Sequence, residues 1–165
     1  MNRIGKPKIA IIGCGYWGMN LVRNFHELGV LEMVCDENQS SLDKVKHLYP
    51  TIQTTNNYKD VLKSDHIQGV AVATPASTHF KIATEILQRR KDLFVEKPLS
   101  LKLNDGIKLV EQASSGKNIL MVGHVLEYHP AILQIQKIVL RKLMAISFSC
   151  QNFEGFTKKL LEKYD

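Results

Sequence analysis

The sequence predicts an α/β fold, a doubly wound parallel sheet with helices on both faces. Two observations predict it. Short apolar runs alternate along the chain with segments of helical periodicity, which is the order of repeated β-α units. The first apolar run leads directly into glycines at positions 13, 15 and 18, and a helical segment follows them. Because β-α-β crossovers are right-handed, such units wind into one parallel sheet.

Six short apolar runs are the expected strands, and their continuous apolar character suits a sheet that is buried on both faces. They cover about residues 8–13, 31–36, 52–54, 69–73, 93–95 and 119–122. In such a sheet the ligand site lies beyond the carboxyl ends of the strands. The residues that fall there are Gly13, Asp36, Thr74, Glu96 and Gly123.

Helices are expected between these strands, at about residues 16–28, 40–48, 57 or 58 to 62, 78–89 and 103–115. Gly29, Pro50 and Gly116 mark the ends of three of them. Helical spacing selects the apolar positions that we expect to face the core. These are Leu42, Val45, Leu48, Phe80, Ala83, Leu87, Ile107, Val110 and Ala113.

The glycines form a G-x-G-x-x-G motif between a strand and a helix, which is typical of a Rossmann dinucleotide-binding unit. Gly13 permits the tight turn, Gly15 lets a pyrophosphate approach the backbone, and Gly18 lets the helix pack close to the strand. Tyr16 and Trp17 lie inside the motif and are expected at the cofactor as well. The helix N-terminus offers unpaired N–H groups to the phosphates.

Asp36 ends the second strand, where a carboxylate accepts hydrogen bonds from the adenosine ribose hydroxyls. It also repels a 2′-phosphate, and no Arg or Lys stands between Asp36 and Asp43, so we expect NAD rather than NADP. Two alternatives remain open from the motif. One is a glycine-rich turn in an unrelated α/β domain, and the other is a methyltransferase with a similar first loop.

Composition excludes several classes of function. The hydrophobic content of 44% is that of a globular protein. No apolar stretch approaches the ~20 residues that cross a bilayer, and the N-terminus leaves no room for a signal peptide before the first strand. The net charge is +6, but the basic runs are short, scattered and without interleaved aromatic residues, so nucleic acid is not an expected partner.

The cysteines and histidines show no ligand pattern. Cys14, Cys35 and Cys150 have no C-x-x-C spacing, so we expect small buried thiols in a reducing compartment, the cytoplasm. His124 and His129 are spaced unlike a helical metal pair, and no metal site is expected.

Three later segments narrow the function. They are Ala73-Thr74-Pro75-Ala76-Ser77-Thr78-His79, then Glu96-Lys97-Pro98-Leu99, then Gly123-His124-Val125-Leu126-Glu127-Tyr128-His129-Pro130. With the glycine loop, they resemble the glucose-fructose oxidoreductase / inositol 2-dehydrogenase (Gfo/Idh/MocA) family of NAD(P)-dependent dehydrogenases over residues 8–130. The Gly-Tyr-Trp-Gly loop and the last segment look most like members acting on sugar nucleotides, such as UDP-N-acetylglucosaminuronate 3-dehydrogenases.

The resemblance implies roles for the later residues. Thr74 and Pro75 pass along the nicotinamide half of the cofactor, and His79 belongs to the same segment, chiefly as a packing or capping residue. Glu96 and Lys97 lie at the nicotinamide ribose. Lys97 is implied to be catalytic, because a cation there binds the reacting hydroxyl and stabilises a developing alkoxide.

The resemblance ends after Pro130. Residues 131–143 predict a helix, and residues 144–150 alternate as a strand would. Residues 1–129 are therefore expected to be an NAD(P)-binding Rossmann domain, and residues 130–165 the truncated start of a substrate and oligomerisation domain. In the family that second domain supplies the sugar pocket and the aspartate and histidine for acid/base catalysis.

Two functions are possible because the resemblance to the family ends after Pro130. The chain is either part of a sugar or sugar-nucleotide dehydrogenase or a dinucleotide-binding module without turnover of its own. A homo-oligomer is expected, because residues 131–150 are rich in apolar side chains that a missing domain would leave uncovered.

Overall fold

The computed structural model describes residues 6–147. In that part of the chain six parallel strands form one sheet in the order β3-β2-β1-β4-β5-β6. The strands are β1 Ile9–Ile12, β2 Leu31–Cys35, β3 Gln53–Thr55, β4 Gly69–Val72, β5 Asp92–Val95 and β6 Leu120–Val122. The helices are α1 Tyr16–Glu27, α2 Gln39–Leu48, α3 Tyr58–Lys63, α4 Ala76–Gln88, α5 Leu103–Gly116 and α6 Pro130–Ser147. The expected doubly wound sheet is confirmed.

The alternation of side chains along the strands divides the core into two layers. Ala10 and Ile12 of β1 point to a cluster that also contains apolar residues of α3, α4 and α5. Ile11 points to the opposite cluster, with Val22 of α1 and Val45 of α2. Helices therefore cover both faces, as a parallel sheet requires.

The helix ends illustrate two uses of glycine. Gly29 has a φ of +67°, and the Val30 N–H bonds to the Phe25 carbonyl at 3.1 Å, so α1 ends there as expected. Helix α5 instead includes Gly116 and ends at Lys117, whose φ is +56°. A Cβ on residue 116 would collide with the end of the Asn118 side chain, which would have to move.

Some of the expected core positions are wrong. Leu48 is 57% exposed, and Ile107 and Val110 are 46% and 51% exposed. In α5 the buried residues are Leu109 and Ala113, the second as expected, because that side of the helix packs on α4 and into the core cluster. Ala83 and Leu87 of α4 are buried as expected.

Lys91 is a buried cation at the opposite end of the sheet from the predicted site. It is 5% exposed, and its Nζ donates to the carbonyls of Ser64 and Ile67 at 2.7 and 2.8 Å. Burial lowers the pKa of this ammonium group from its ordinary value. The side chain joins the loop before β5 to the loop between α3 and β4.

The chain divides into two compact units after Gly123. In the second unit a 3₁₀ turn, Val125–Tyr128, precedes α6. The expected strand at residues 144–150 is wrong over its first part, since residues 144–147 continue α6, and the remainder lies outside the described residues. The physical reason is that residues 131–147 hold neither proline nor glycine and are rich in helix formers. No helix within residues 6–147 has the length and hydropathy to cross a membrane.

Candidate functional site

Five residues line up at the carboxyl edge of the sheet. The strand register pairs Ile12 with both Cys35 and Val72, and Val95 with both Val72 and Val122. The residues that follow these positions therefore end their strands at one level. They are Gly13, Asp36, Ala73, Glu96 and Gly123. Four of the five expected edge positions are in this row, and Thr74 is the next residue along the chain.

Backbone hydrogen bonds continue the sheet through this row. The N–H of Gly13 donates to the Cys35 carbonyl at 2.7 Å, and that of Ala73 donates to Ile12 at 2.8 Å. Corresponding bonds of 2.9 and 2.8 Å hold Glu96 and Gly123 on the strands beside them. The edge residues thus continue the hydrogen bonding of the sheet, which fixes the backbone positions from which their side chains extend.

Gly13 makes the turn from β1 into α1. Its φ is +91°, and a Cβ at this position would lie 2.7 Å from the Ala73 carbonyl oxygen and 2.9 Å from the Thr74 nitrogen. Both the backbone conformation and the neighbouring loop therefore require glycine. The loops after β1 and β4 meet here, at the point where the strand order reverses.

Gly18 and Gly15 have opposite surroundings. A Cβ on Gly18 would collide with the Gly13 carbonyl, so α1 packs directly against the turn. A Cβ on Gly15 would have nothing within 4 Å. Gly15 is the N-cap of α1, and no side chain caps that helix. The first N–H groups of α1 thus have no side-chain cap and lie at the positive end of the helix dipole, which fits an anion such as a pyrophosphate.

Asp36 joins the glycine loop to the loop after β2. Its Oδ2 accepts the Cys14 N–H at 2.7 Å, and its Oδ1 accepts the Asn38 N–H at 2.8 Å. A carboxylate has about four lone-pair positions, so both oxygens retain capacity for ribose hydroxyls. Glu37, the next residue, is exposed. The structure thus adds a loop-holding role to the predicted recognition role.

Cys14 and Cys35 are 2% and 3% exposed. Burial, and then the nearby Asp36 carboxylate, raise the pKa of each thiol from 9.0 to about 12. Thiolate is the reactive form of cysteine, so both side chains are inert at neutral pH. Their prediction as small buried hydrophobic residues is confirmed, whereas Cys150 lies outside the described residues.

Tyr16 and Trp17 begin α1 and are 86% and 56% exposed. Their rings meet edge to face, with centroids 5.8 Å apart and an interplanar angle of 84°. Large aromatic side chains this exposed offer area for a ligand ring to contact. Their place beside Gly15 agrees with their sequence assignment to the loop.

Thr74 and Pro75 follow β4 and lead into α4. The Thr74 and Thr78 hydroxyl oxygens are 2.7 Å apart, and Thr78 Oγ1 is 2.8 Å from the Pro75 carbonyl oxygen. Pro75 is the N-cap of α4, which begins two residues earlier than the sequence predicted. The Thr78 side chain thus holds the turn that contains both site candidates.

His79 is enclosed in the fold. It is 1% exposed, with Nε2 2.8 Å from the Thr74 carbonyl oxygen and Nδ1 2.7 Å from the Pro98 carbonyl oxygen. Both ring nitrogens are therefore committed to backbone. The ring thus joins two loops, which agrees with its expected packing or capping role, and its assignment to the cofactor site stays a prediction.

Glu96 and Lys97 follow β5. Glu96 is half-buried, and its Oε2 accepts the Lys97 N–H at 3.3 Å. Lys97 is exposed, and its peptide bond to Pro98 is cis. A Cβ on Gly123 would lie 3.0 Å from both Glu96 Oε2 and Phe94 Cζ, so glycine at the end of β6 makes room for this carboxylate. Sequence reasoning placed Gly123 at this edge but missed that role, because the contact forms only between neighbouring strands of the finished sheet.

Two grooves lie among other residues of the first unit. One, of about 490 Å³, is lined by the segment 99–103 and by α5. The other, of about 440 Å³, is lined by Met19 of α1 and by residues of α2. Neither includes the glycine motif, Asp36 or Lys97. Within residues 6–147, no three His, Cys, Asp or Glu side chains are close enough together to hold a metal ion.

Known proteins are similar to this chain over the same region. A Glycosyl hydrolase family 109 protein of Shewanella putrefaciens is 33% identical over 130 residues, which are 72% of this chain and 28% of that protein. The structure of myo-inositol 2-dehydrogenase from Lactobacillus plantarum is 27% identical with a TM-score of 0.75, covering 81% of this chain and 41% of that one. UDP-N-acetylglucosamine 3-dehydrogenase GnnA from Acidithiobacillus ferrooxidans is 25% identical with a TM-score of 0.73, covering 79% and 41%.

The chain therefore spans less than half of the length of each of these proteins. The family model that matches residues 7–124 is GFO_IDH_MocA, described as an oxidoreductase family with an NAD-binding Rossmann fold. The match contains every edge residue described above, from Gly13 to Gly123. This chain belongs to the GFO_IDH_MocA family of oxidoreductases, and its first unit is the family's NAD-binding Rossmann fold.

Proposed function

We propose that this chain binds NAD, in preference to NADP, as the dinucleotide-binding part of a sugar or sugar-nucleotide oxidoreductase. The observation that carries the proposal is the open position at Gly15. Two glycines of the motif are enclosed by packed atoms, whereas the third faces empty space at an uncapped helix N-terminus. An open cradle between two packed glycines fits a pyrophosphate group.

The remaining edge residues fit the rest of the dinucleotide. Asp36 would hold the adenosine ribose through the acceptor capacity that its two backbone contacts leave unused. Tyr16 and Trp17 would flank the cofactor at the start of α1. Thr74, Pro75, Glu96 and Lys97 would line the nicotinamide half. When bound there, NAD would accept a hydride from the substrate.

Discrimination against NADP is proposed to come from charge. Asp36 and the exposed Glu37 place two carboxylates at the end of β2, and no Arg or Lys stands between Asp36 and Asp43. A 2′-phosphate would meet repulsion there and find no cation. The same carboxylates leave the hydroxyls of NAD with acceptors.

The proposed substrate class is a polyhydroxylated ring, a sugar or a sugar nucleotide. Two of the similar proteins are dehydrogenases of myo-inositol and of UDP-N-acetylglucosamine. Lys97 would bind the reacting hydroxyl, and Glu96, which accepts the Lys97 N–H, would orient it. The chain spans 28% of its curated relative, so we propose that these residues hold cofactor and that turnover needs a substrate domain as well.

A second candidate function is the cleavage of a glycosidic bond, because the most similar curated protein quoted above is a glycosyl hydrolase family member. This activity would use the same cofactor edge and the same proposed class of substrate. The two candidates differ in product: oxidation converts NAD into NADH, whereas hydrolysis releases a sugar without net reduction of NAD.

A cytoplasmic location and a homo-oligomer complete the proposal. The location is supported by two free, buried thiols in the part of the chain that the structure describes. The homo-oligomer is supported by exposed apolar side chains on α6. Fractionation of the native cells and sedimentation of the purified chain test these two statements.

Calorimetric titration of the purified chain with NAD and with NADP tests the central proposal. We expect saturable binding of NAD, and weaker binding of NADP. ADP and 2′-phospho-ADP form a matched control pair, since they isolate the adenosine half in which the discrimination is proposed to lie. Tighter binding of NADP, or no binding of either dinucleotide, would refute the proposal.

A further inference from the structure

His79 is the hydrogen-bonded link between the loops that follow β4 and β5. Its ring contacts the carbonyl oxygens of Thr74 and Pro98 at 2.8 and 2.7 Å and is 1% exposed. Carbonyl oxygens only accept hydrogen bonds. The ring lies between these two oxygens, with one nitrogen within hydrogen-bond distance of each.

The link lies beyond the last bond of the sheet between these strands. That bond runs from the Glu96 N–H to the Val72 carbonyl at 2.9 Å. Beyond the Glu96–Val72 bond, His79 Nδ1 and the Pro98 carbonyl form the one hydrogen bond between residues 73–79 and residues 97–102 within the described residues 6–147. The spacing of the two loops therefore depends on this side chain.

The two loops carry the residues that the proposed function assigns to the nicotinamide half. Thr74 is itself a partner of the ring, and Lys97 directly precedes the other partner, Pro98. The adenosine and pyrophosphate contacts lie elsewhere, on Asp36 and the glycine loop. A change in the ring would thus move one half of the site and leave the other half in place.

We propose that His79 is a positioning residue for the nicotinamide half of the cofactor, acting through the spacing of the Thr74 and Lys97 loops. This inference rests on the proposed binding of NAD. This role differs from that of an ordinary core residue, whose loss would weaken the whole fold and the binding of every ligand alike.

Binding of NAD and of ADP to the variant His79→Gln tests the proposal. ADP keeps the adenosine and pyrophosphate and lacks the nicotinamide riboside. We expect the affinity for NAD to fall about fivefold to tenfold, the effect of one lost hydrogen bond of ordinary strength, while ADP binds as it does to the wild type. The matched control is His47→Gln, an exposed histidine on α2 that should change neither affinity.

The outcomes separate the possible failures. A folded His79→Gln variant that loses NAD and ADP equally, or neither, would overturn the positioning role. A wild-type chain that binds neither ligand would instead refute the proposed function.

If His79→Gln does not fold, wild-type protein with 15N-labelled histidine answers the same question. The ring 15N signals of His79 should shift on adding NAD and not on adding ADP. Signals that do not respond to NAD would contradict the proposal.

Discussion

At the scale of single residues, the three motif glycines occupy three different environments. Gly13 is fixed by a positive φ and by the loop beside it, Gly18 by contact of α1 with the turn, and Gly15 by neither. The spacing of the motif predicts all three positions. It does not show which of the three glycines lacks packed neighbours. A side chain at the unpacked glycine should cost ligand binding, whereas a side chain at a packed glycine should cost the fold.

Replacing Gly15 with valine should abolish NAD binding and leave the fold intact. The Gly15 φ of −65° suits any residue, and its Cβ would enter open space. A poorer N-cap should cost about 1 kcal/mol or less of the free energy of unfolding. Calorimetric titration and urea unfolding measure the two effects. The control Gly18→Val should fail to fold, and normal NAD binding by Gly15→Val would show that the loop is assigned wrongly.

The buried thiols should make the protein sensitive to alkali. A pKa raised from 9.0 to about 12 means that the folded state keeps a proton that the unfolded state releases. The stabilising effect is complete below pH 9 and is lost as the pH rises towards 12. For each thiol the loss between pH 8 and pH 10 is about 1.4 kcal/mol.

Urea unfolding at pH 8 and pH 10 measures this loss. The variant Cys35→Ala should lose about 1.4 kcal/mol less than the wild type over that interval. Val34→Ala, at a neighbouring buried position on β2, removes apolar volume without a thiol and should keep the full pH dependence. Equal losses in Cys35→Ala and the wild type would contradict the prediction.

At the scale of elements, Lys91 joins two loops at the end of the sheet that lies opposite the candidate site. Lys91→Met should lower the free energy of unfolding by about 1–3 kcal/mol, because the Ser64 and Ile67 carbonyls lose their donor inside the fold. Lys81→Met, on the exposed face of α4, is the matched control and should change stability by less than about 0.5 kcal/mol. Thermal unfolding of both variants measures the two changes in stability.

The sequence predicted the order and type of the strands because their apolar runs are short and separated by clear turns. In α5 it predicted Ala113 correctly but chose Ile107 and Val110 instead of Leu109, because apolar side chains stand on more than one side of this helix. Periodicity alone cannot say which side faces the core. The strand expected at residues 144–147 failed because alternation there competes with strong helix formers.

The candidate site also contains parts that the sequence predicts and parts that it does not. Glycine spacing and Asp36 are local signals, so they correctly predicted a turn between β1 and α1 and a carboxylate directly after β2. The contact of His79 with Pro98 spans 19 residues, and the room that Gly123 leaves for Glu96 joins two strands. Such contacts depend on the finished sheet, so no local pattern indicates them.

At the scale of the whole molecule, self-association is expected. In the second unit Leu133, Ile135, Ile138 and Val139 of α6 are 42–53% exposed, and apolar surface of this extent usually binds a partner. Sedimentation at micromolar concentration should show a species larger than a monomer. The double variant Ile135→Lys and Ile138→Lys should reduce it, and a strictly monomeric wild type would count against the prediction.

The 165-residue chain should bind NAD but show no measurable dehydrogenase turnover with sugar nucleotides or polyols. Lys97 and Glu96 can bind and orient a hydroxyl, but hydride transfer also needs a positioned acid/base and a held substrate, and loss of the first alone costs ~10²–10⁴-fold. NADH absorbance measures turnover. Robust NADH formation that Lys97→Ala abolishes would show that these residues complete a working site.

The two backbone contacts of Asp36 set a limit on redesigning cofactor preference. A substitution that removes the carboxylate to admit a 2′-phosphate also removes the acceptors of the Cys14 and Asn38 N–H groups. The altered protein would thus lose loop order in the same step that relaxes its selectivity. A successful exchange of cofactor would need at least two changes: one residue to receive the phosphate, and new acceptors for both N–H groups, because the single amide oxygen of Asp36→Asn could accept only one of them.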